Sequence, residues 1–581
     1  MIIQPEFNGG AVPLGEYPRP QFARDSYFPL NGRWEYAITS SEEEPERFEG
    51  EILVPYSPES PLSGVGRQLT ADKFLHYRRT FTLPQGFNRG RVLLNIGACD
   101  QRCAVFCNGG MAGGHEGGYL PFTIELTSFL REGENALHIV VRDDASSCIY
   151  GRGKQSYKSG GIWYTAISGI WQSAWLESVP QNYLHGLKIT PDYASKTVTF
   201  QCEVYGGGSV SYGIYEGQSL LCSAKDVPAG RAVVLDASMC RPWTPSSPEL
   251  YKIVVTSGSD RVESYFGLRT FSRGERGGRQ YFMLNGSPIY QSGLLDQGYW
   301  SRGIYTPESN RQMFDCLKKV KSLGFNMLRK HIKVEPLLWY YYCDVLGILV
   351  WQDMVNGGAP YKQWRINLGP FIDLRLNDSD YNGMGRADAR SRETFMREAF
   401  GTVEALYNCV SLCLWTPFNE GWGQFDAVRV WQKLRAADGT RLYDHASGWQ
   451  DKGGGDVCSR HIYFKKVRLR NDGRRVLALT EFGGYSFTEG GVPRAFGYRR
   501  LRSRAKFAAA LKVLYLKQVV PAILREGLCA AVYTQLCDVE QEVNGIFTAD
   551  FRLKADEELF RELNAAQYAA FNKALEVAGE E

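Results

Sequence analysis

The chain has 581 residues, 44% of them hydrophobic, which is enough for a sizeable core and, at roughly 100–200 residues per domain, for about three to five domains or one large barrel with additions. A formal charge of +4 is small for this length and gives no electrostatic footprint for nucleic acid. The densest basic run, KKVRLRNDGRR at 465–475, reads as a solvated loop.

The opening MIIQPEFNGG lacks a basic stretch followed by an apolar one, so no secretory signal is expected. No run reaches the ~18 apolar residues that span a bilayer. The expectation is a cytoplasmic chain with no membrane partner. The 14 cysteines are scattered without a CxxC pair, which argues against zinc ribbons and thioredoxin-like motifs. Cys99, Cys103 and Cys107 are spaced for one face of a strand and read as reduced core residues.

Residues 1–180 are read as a β-sandwich. Short alternating runs (RVLLNIG, CAVFCNG, ALHIVVR) are separated by turn clusters such as GGHEGG and REGEN. Aromatics are dense here, among them Trp34, Trp163, Tyr164, Trp171 and Trp175; such residues build cores and also bind sugar faces. Residues 181–272 read as a smaller, immunoglobulin-like sandwich, with KTVTFQCEVYG, AVVLDA and YKIVVTSG as strands.

From 273 to 581 the pattern alternates between helices and short apolar strands. NRQMFDCLKKVKSLG has helical apolar spacing and a closing glycine, FNMLRKH is a strand, EPLLWYYYCDVLG a helix ending at Gly347, and ILVWQDM a strand. VSLCLWTPFNE, VLALTEFGG and CAAVYTQLCDVE are further apolar runs that pass into polar residues, and AVRVWQKLRAADG is another helix. This is the signature of a parallel α/β fold, and a (β/α)8 barrel fits the length. No GxGxxG or P-loop follows a strand, so no nucleotide site is expected.

In such a barrel the active site lies where the strands end. The polar residues following the apolar runs are Arg329 and His331, Asp353, Asn419 and Glu420, His461 and Tyr463, Glu481, and then Gln535, Asp538 and Glu540. Two carboxylates at one mouth suit glycoside hydrolysis, one protonated to donate and one ionised to attack. A lone strand-end Glu is as easily a cap or ion-pair partner. Asn419 beside Glu420 suits a sugar hydroxyl, however, and Trp422 offers a stacking plane. Gly483 and Gly484 after Glu481 would let backbone pass close to a ligand. Arg329 and His331 point to one side of a strand, as a structural pair or to shape the substrate pocket.

Several segments carry a resemblance to a known family: LNGRWEY at 30–36, FCNGGMAGGHEGGYLPF at 106–122, SGIWQSAWLE at 168–177, FMLNGSPI at 282–289, GFNMLRKH at 324–331, YYCDVLGILVWQDM at 341–354, WTPFNEGWG at 415–423 and LTEFGG at 479–484. The chain resembles glycoside hydrolase family 2, which includes β-galactosidases, β-glucuronidases and β-mannosidases. The resemblance implies a jelly-roll sandwich, an immunoglobulin-like sandwich and a (β/α)8 TIM barrel, in that order. It implies Glu420 as general acid/base after the fourth barrel strand and Glu481 as nucleophile at the seventh. It also implies Asn419 on the sugar 2-hydroxyl, His331 in the non-reducing sugar subsite, Tyr463 near the nucleophile, and Asp144 reaching in from the amino-terminal domain, with Asp143 adjacent. Asp353, His461, Trp422 and Gln535 complete the expected substrate-binding set.

There are departures. KHIKVEP keeps the histidine of a Ser–His–Tyr–Pro stretch and loses the rest, WQDM replaces the usual acidic-loop forms, and SRHIYF differs in spacing by one residue. The Asn-x-Lys motif by which β-glucuronidases recognise a uronate carboxylate is absent. The expected activity is therefore a retaining, exo-acting β-glycosidase, β-galactosidase-like before β-glucuronide, β-mannoside or arabinoside; a non-catalytic carbohydrate-binding protein is the rival. The expected partner is a carbohydrate, with self-association open. No cofactor is required and no metal-ligand cluster is named, an accessory cation being left open.

Overall fold

The computed structural model describes residues 7, 12–361, 376–488 and 492–580. The reading of the first ten residues as free of a signal falls, Phe7 apart, outside them.

The first unit is a two-sheet antiparallel sandwich. Its larger sheet pairs Gly50–Val54, Gly32–Thr39, Phe74–Thr82, Glu134–Arg142, Arg102–Cys107 and Gly110–Glu116 in that order; its smaller sheet runs Tyr27–Pro29, Ala174–Val179, Arg91–Ile96 and Phe122–Glu125. Alternation decides which side chains fill the space between the sheets. In Arg102–Cys107, Cys103, Val105 and Cys107 point inward and meet Trp34, Tyr77 and Ile139. All 14 cysteines are free thiols.

The second unit packs a three-stranded sheet (Tyr183–Asp192, Thr197–Tyr205, Val233–Asp236) on a four-stranded one (Ser219–Pro228, Ser209–Glu216, Tyr251–Ser257, Asp260–Phe266). Phe200, Tyr212, Ile253 and Val262 are its core. Arg24 joins the two sandwiches, with Nη1 at 3.1 Å from Glu177 of the first and Nη2 at 2.9 Å from Asp260 of the second.

The third unit is an eight-stranded, nearly closed parallel barrel. Its strands are β1 (Gln291–Asp296), β2 (Met327–Lys330), β3 (Leu349–Asp353), β4 (Leu412–Thr416), β5 (Leu442–Tyr443), β6 (Val457–Ile462), β7 (Val476–Gly483) and β8 (Ala530–Thr534), with hydrogen-bonded order β5-β4-β3-β2-β1-β8-β7-β6. Strands β1 to β5, β7 and β8 are buried along their whole length, as expected of strands covered on both faces. Helix α1 (Asn310–Ser322) starts where Ser309 Oγ accepts from the Gln312 N–H, and α2 (Leu337–Leu346) stops at Gly347 in the left-handed region at φ +68°. The second sandwich docks on α2, where Trp243 Nε1 donates to the Asp344 carbonyl and Tyr265 Oη to its carboxylate, each at 2.8 Å.

Two features differ from expectation. The helical run Arg504–Glu526 is long and apolar enough to cross a membrane by length and composition, although no uninterrupted apolar stretch marks it; 44% of its most apolar window is buried, and it packs on the carboxy-terminal helix Glu557–Glu580. In the basic 465–475 run, Arg475 is buried rather than solvated, because its guanidinium pairs with Asp451 at 2.6 Å and Asp472 at 2.7 Å.

Candidate active site

The ends of the barrel strands bring Arg329, His331, Asp353, Asn419, Glu420, His461, Tyr463 and Glu481 to one place, and Arg329 organises several of them. From β2, fully buried, it donates Nε to both oxygens of Asp353 on β3 (3.0 and 3.2 Å), Nη2 to Asn419 Oδ1 (2.9 Å), and Nη1 to Glu481 Oε1 (3.2 Å) and the Thr480 carbonyl (3.1 Å). One planar fork thus ties four segments of the barrel, which a lysine's point charge could not do. His331, two residues on, places Nδ1 2.7 Å from Asp353 Oδ2. Burial, helped by the charge of Lys154, lowers the His331 pKa to about 4, so the ring is neutral at pH 7.

Glu420 and Glu481 meet across His461. Nδ1 of His461 lies 2.8 Å from Glu420 Oε1, and Nε2 lies 3.0 Å from Ser447 Oγ and 3.6 Å from Glu481 Oε1. A carboxylate oxygen of each glutamate and a ring nitrogen of His461 all fall within 4.8 Å of one another. The Tyr463 hydroxyl donates to Glu481 Oε2, and its ring stacks on Tyr498 at 3.9 Å. Glu420 has φ +52°, uncommon for a residue with a side chain, and its N–H donates to the Ser447 carbonyl at 2.8 Å, which anchors the strained turn.

Their environments push the two carboxyls apart. Burial is the largest influence on both and alone raises each. At Glu420 it prevails, reinforced by the charge of Glu481 and opposed by the His461 hydrogen bond, so the pKa is raised. At Glu481 the charges of His461, Arg329, His331 and Lys154 outweigh it and hold the carboxyl well below its usual range. His331 is neutral at pH 7, so its charge does not contribute there. Glu420, His461 and Glu481 are also a possible set of cation ligands. Their oxygens already accept from His461, Tyr463 and Arg329, so a cation would have to displace those donors.

Trp422 follows Glu420 by two residues, its N–H donating to the Asn419 carbonyl at 2.9 Å. Its ring lies 5.5 Å from Trp163 of the first sandwich and 6.2 Å from Tyr361. Trp163 is set by a tight Gly160–Trp163 turn, and the adjoining Tyr164 hydroxyl donates to Glu542 beyond β8. The same sandwich supplies Lys154. The N–H groups of Arg152 and Gly153 donate to the Asn356 carbonyl (2.9 and 3.1 Å), and Gln155 is held by the Asp100 carboxylate and the Tyr119 hydroxyl. Gly153 sits at φ +60°, where a Cβ would lie 2.9 Å from the Ile332 carbonyl oxygen. Lys154 is thereby clamped at the barrel mouth.

Other nominated residues lie differently. Asp144 accepts from the N–H and hydroxyl of Ser146 in a local turn (2.9 and 2.5 Å), and no hydrogen bond or ion pair among the described residues links it to the barrel carboxylates. Asp143 is buried, without a hydrogen-bond partner among the described residues. Gln535 is fully buried just beyond β8, and neither atom of its side-chain amide has a partner among the described residues. Gly483 and Gly484 do not make room for a ligand. A Cβ on the first would lie 2.4 Å from the Tyr533 ring and on the second 2.2 Å from that of Tyr498, so both admit tyrosines. Lys154 and Tyr498 were missed, because no local pattern shows that a sandwich loop, or a segment well beyond β7, will reach these carboxylates.

Residues 67–180 match the model of the sugar binding domain of glycosyl hydrolases family 2. A putative β-glucuronidase of Formosa agariphila is 28% identical over 297 residues, 48% of this chain and 34% of that protein. A β-galactosidase of Aeromonas hydrophila is 25% identical over 415 residues, 66% of this chain and 36% of that protein. The chain therefore spans little more than a third of the length of these curated relatives. Among solved structures, a GH2 β-galacturonidase of Eisenbergiella tayi superposes with a TM-score of 0.73 at 17% identity, covering 95% of this chain and 98% of that one. A β-D-glucuronidase of Dictyoglomus thermophilum gives 0.75 at 16%, covering 94% and 98%. At that identity the likeness is one of fold. With the motifs at both carboxylates and the matched sugar binding domain, these findings show the chain to be similar to members of glycoside hydrolase family 2.

Proposed function

We propose that this chain is a retaining, exo-acting β-glycosidase. The observation that carries the reading is the pairing of Glu420 and Glu481, with oxygens within 4.8 Å, one carboxyl held towards its protonated form and the other ionised. A separation near 5–5.5 Å leaves no space for an attacking water between the two groups and favours double displacement. Glu481 attacks the anomeric carbon as the bond to the leaving oxygen breaks, and Glu420 gives that oxygen its proton. A glycosyl ester forms on Glu481. Glu420 then takes a proton from water, whose oxygen attacks the same carbon, frees Glu481 and restores the β configuration. Asn419, fixed by Arg329, is placed for a sugar hydroxyl, and Trp422 with Trp163 offers an apolar wall for a sugar face.

The sequence puts a β-galactoside first, as do curated relatives named β-galactosidase. The similarity in fold to solved structures named β-galacturonidase and β-glucuronidase supports a second reading, a β-hexuronide. Proton NMR of the first-formed sugar tests the mechanism. The β anomer is expected before mutarotation; an α anomer would exclude double displacement.

A further inference from the structure

Several cations at the barrel mouth are held by carboxylates. Arg329 is committed to Asp353, Glu481 and Asn419, while Lys330 reaches Asp296 at 2.6 Å and Lys333 reaches Glu335 at 3.0 Å. Lys154 is only 8% exposed, yet its ammonium has no ion pair and no hydrogen bond among the described residues. Nζ lies 5.7 Å from the centre of the Trp422 ring and 5.8 Å from that of Tyr164. Aromatic faces recover only part of what an ammonium loses on leaving water. An ammonium on a largely buried side chain, without a carboxylate within ion-pair distance among the described residues, is best completed by an anion on the ligand. A neutral hexose carries none, whereas a hexuronic acid carries a carboxylate on its ring. The contacts of Gly153 and Gln155 fix the backbone that carries the lysine, which favours a specificity contact.

We infer that Lys154 binds the carboxylate of a terminal β-hexuronide and that this contact, delivered by the first sandwich, selects the substrate. The inference rests on the glycosidase reading and names its sugar. It also meets the absence of an Asn-x-Lys motif, since the cation comes from a different domain.

The test uses the full chain. kcat/KM is measured on nitrophenyl β-D-galacturonide, β-D-glucuronide and β-D-galactoside, and Tm with free D-galacturonate, D-glucuronate and D-galactose. One hexuronide is expected to be preferred over the galactoside. Lys154→Met should lower kcat/KM for that hexuronide on the order of a hundredfold more than for the galactoside, as loss of a charge-assisted hydrogen bond implies, and Lys154→Arg should recover part of it. The matching free hexuronate should raise the Tm of the parent and not of Lys154→Met. Preference for the galactoside overturns the inference and leaves the glycosidase reading intact. Equal losses on both substrates also overturn it, reducing Lys154 to a charge that steadies Glu481. If no glycoside is cleaved, the Tm comparison decides alone: a rise abolished in Lys154→Met supports the carboxylate site, and no rise, or one the variant keeps, overturns it.

Discussion

Nδ1 of His461 lies 2.8 Å from Oε1 of Glu420, so the proposed acid/base is oriented by a side chain from another barrel strand. That hydrogen bond opposes the rise in the Glu420 pKa caused by burial and by Glu481. The first chemical step needs Glu420 protonated, so activity should fall as pH rises through its pKa. Removing the opposing bond raises that pKa further. His461→Ala should therefore move the alkaline limb of the kcat/KM profile to higher pH while lowering its maximum. A limb displaced to lower pH would contradict the arrangement.

The two carboxylates should respond differently to leaving-group ability. Without Glu420 an activated aryl glycoside can still depart unaided, while a disaccharide cannot. Glu420→Ala should retain far more of the parent rate on a dinitrophenyl glycoside than on a natural disaccharide. Equal losses would remove Glu420 as the acid. Glu481→Gln keeps the shape and loses the nucleophile, so it should stay folded at less than about a thousandth of the parent rate on both.

Much of this was legible in the chain. The apolar runs LCLWT and VLALT end beside Glu420 and Glu481 because barrel strands are buried on both faces and place chemistry at their ends. The alternation of Cys103, Val105 and Cys107 disclosed a sandwich strand in the same way. Tertiary convergence is not written locally. Arg329 is one strand-end arginine among several until Asp353, Asn419 and Glu481 close on it, and Lys154 lies far from the barrel in sequence. Gly484 shows the limit from the other side. Its conformational need was visible, but its neighbour, the Tyr498 ring, was not.

Arg329→Met should be among the more damaging substitutions. It would leave Asp353 and Glu481 buried without their cation, and breaking a buried pair costs about 3–5 kcal/mol. Asp353 and Glu481 both have depressed folded-state pKa values, so their stabilisation is present above the ordinary carboxylate range and lost as pH falls through the folded values. The variant lacks that contribution. Urea unfolding should show the largest deficit near pH 7 and a smaller one near pH 4. A deficit independent of pH would mean that packing, not charge, is what Arg329 supplies.

Gly484 tests the support beneath the proposed nucleophile. Its φ of +62° already disfavours a side chain, and a Cβ would stand 2.2 Å from the Tyr498 ring, which stacks at 3.9 Å on Tyr463, the tyrosine whose hydroxyl donates to Glu481. Gly484→Ala should therefore cost about 1–3 kcal/mol in stability and lower kcat together with it. If the ring clash is the route, combining Gly484→Ala with Tyr498→Leu makes room for the new methyl, and the alanine should cost less there than in the parent. The residual cost would measure the backbone strain alone. Strict additivity of the two changes, in stability and in kcat, would show that Gly484 acts through its backbone conformation and not through the tyrosine stack.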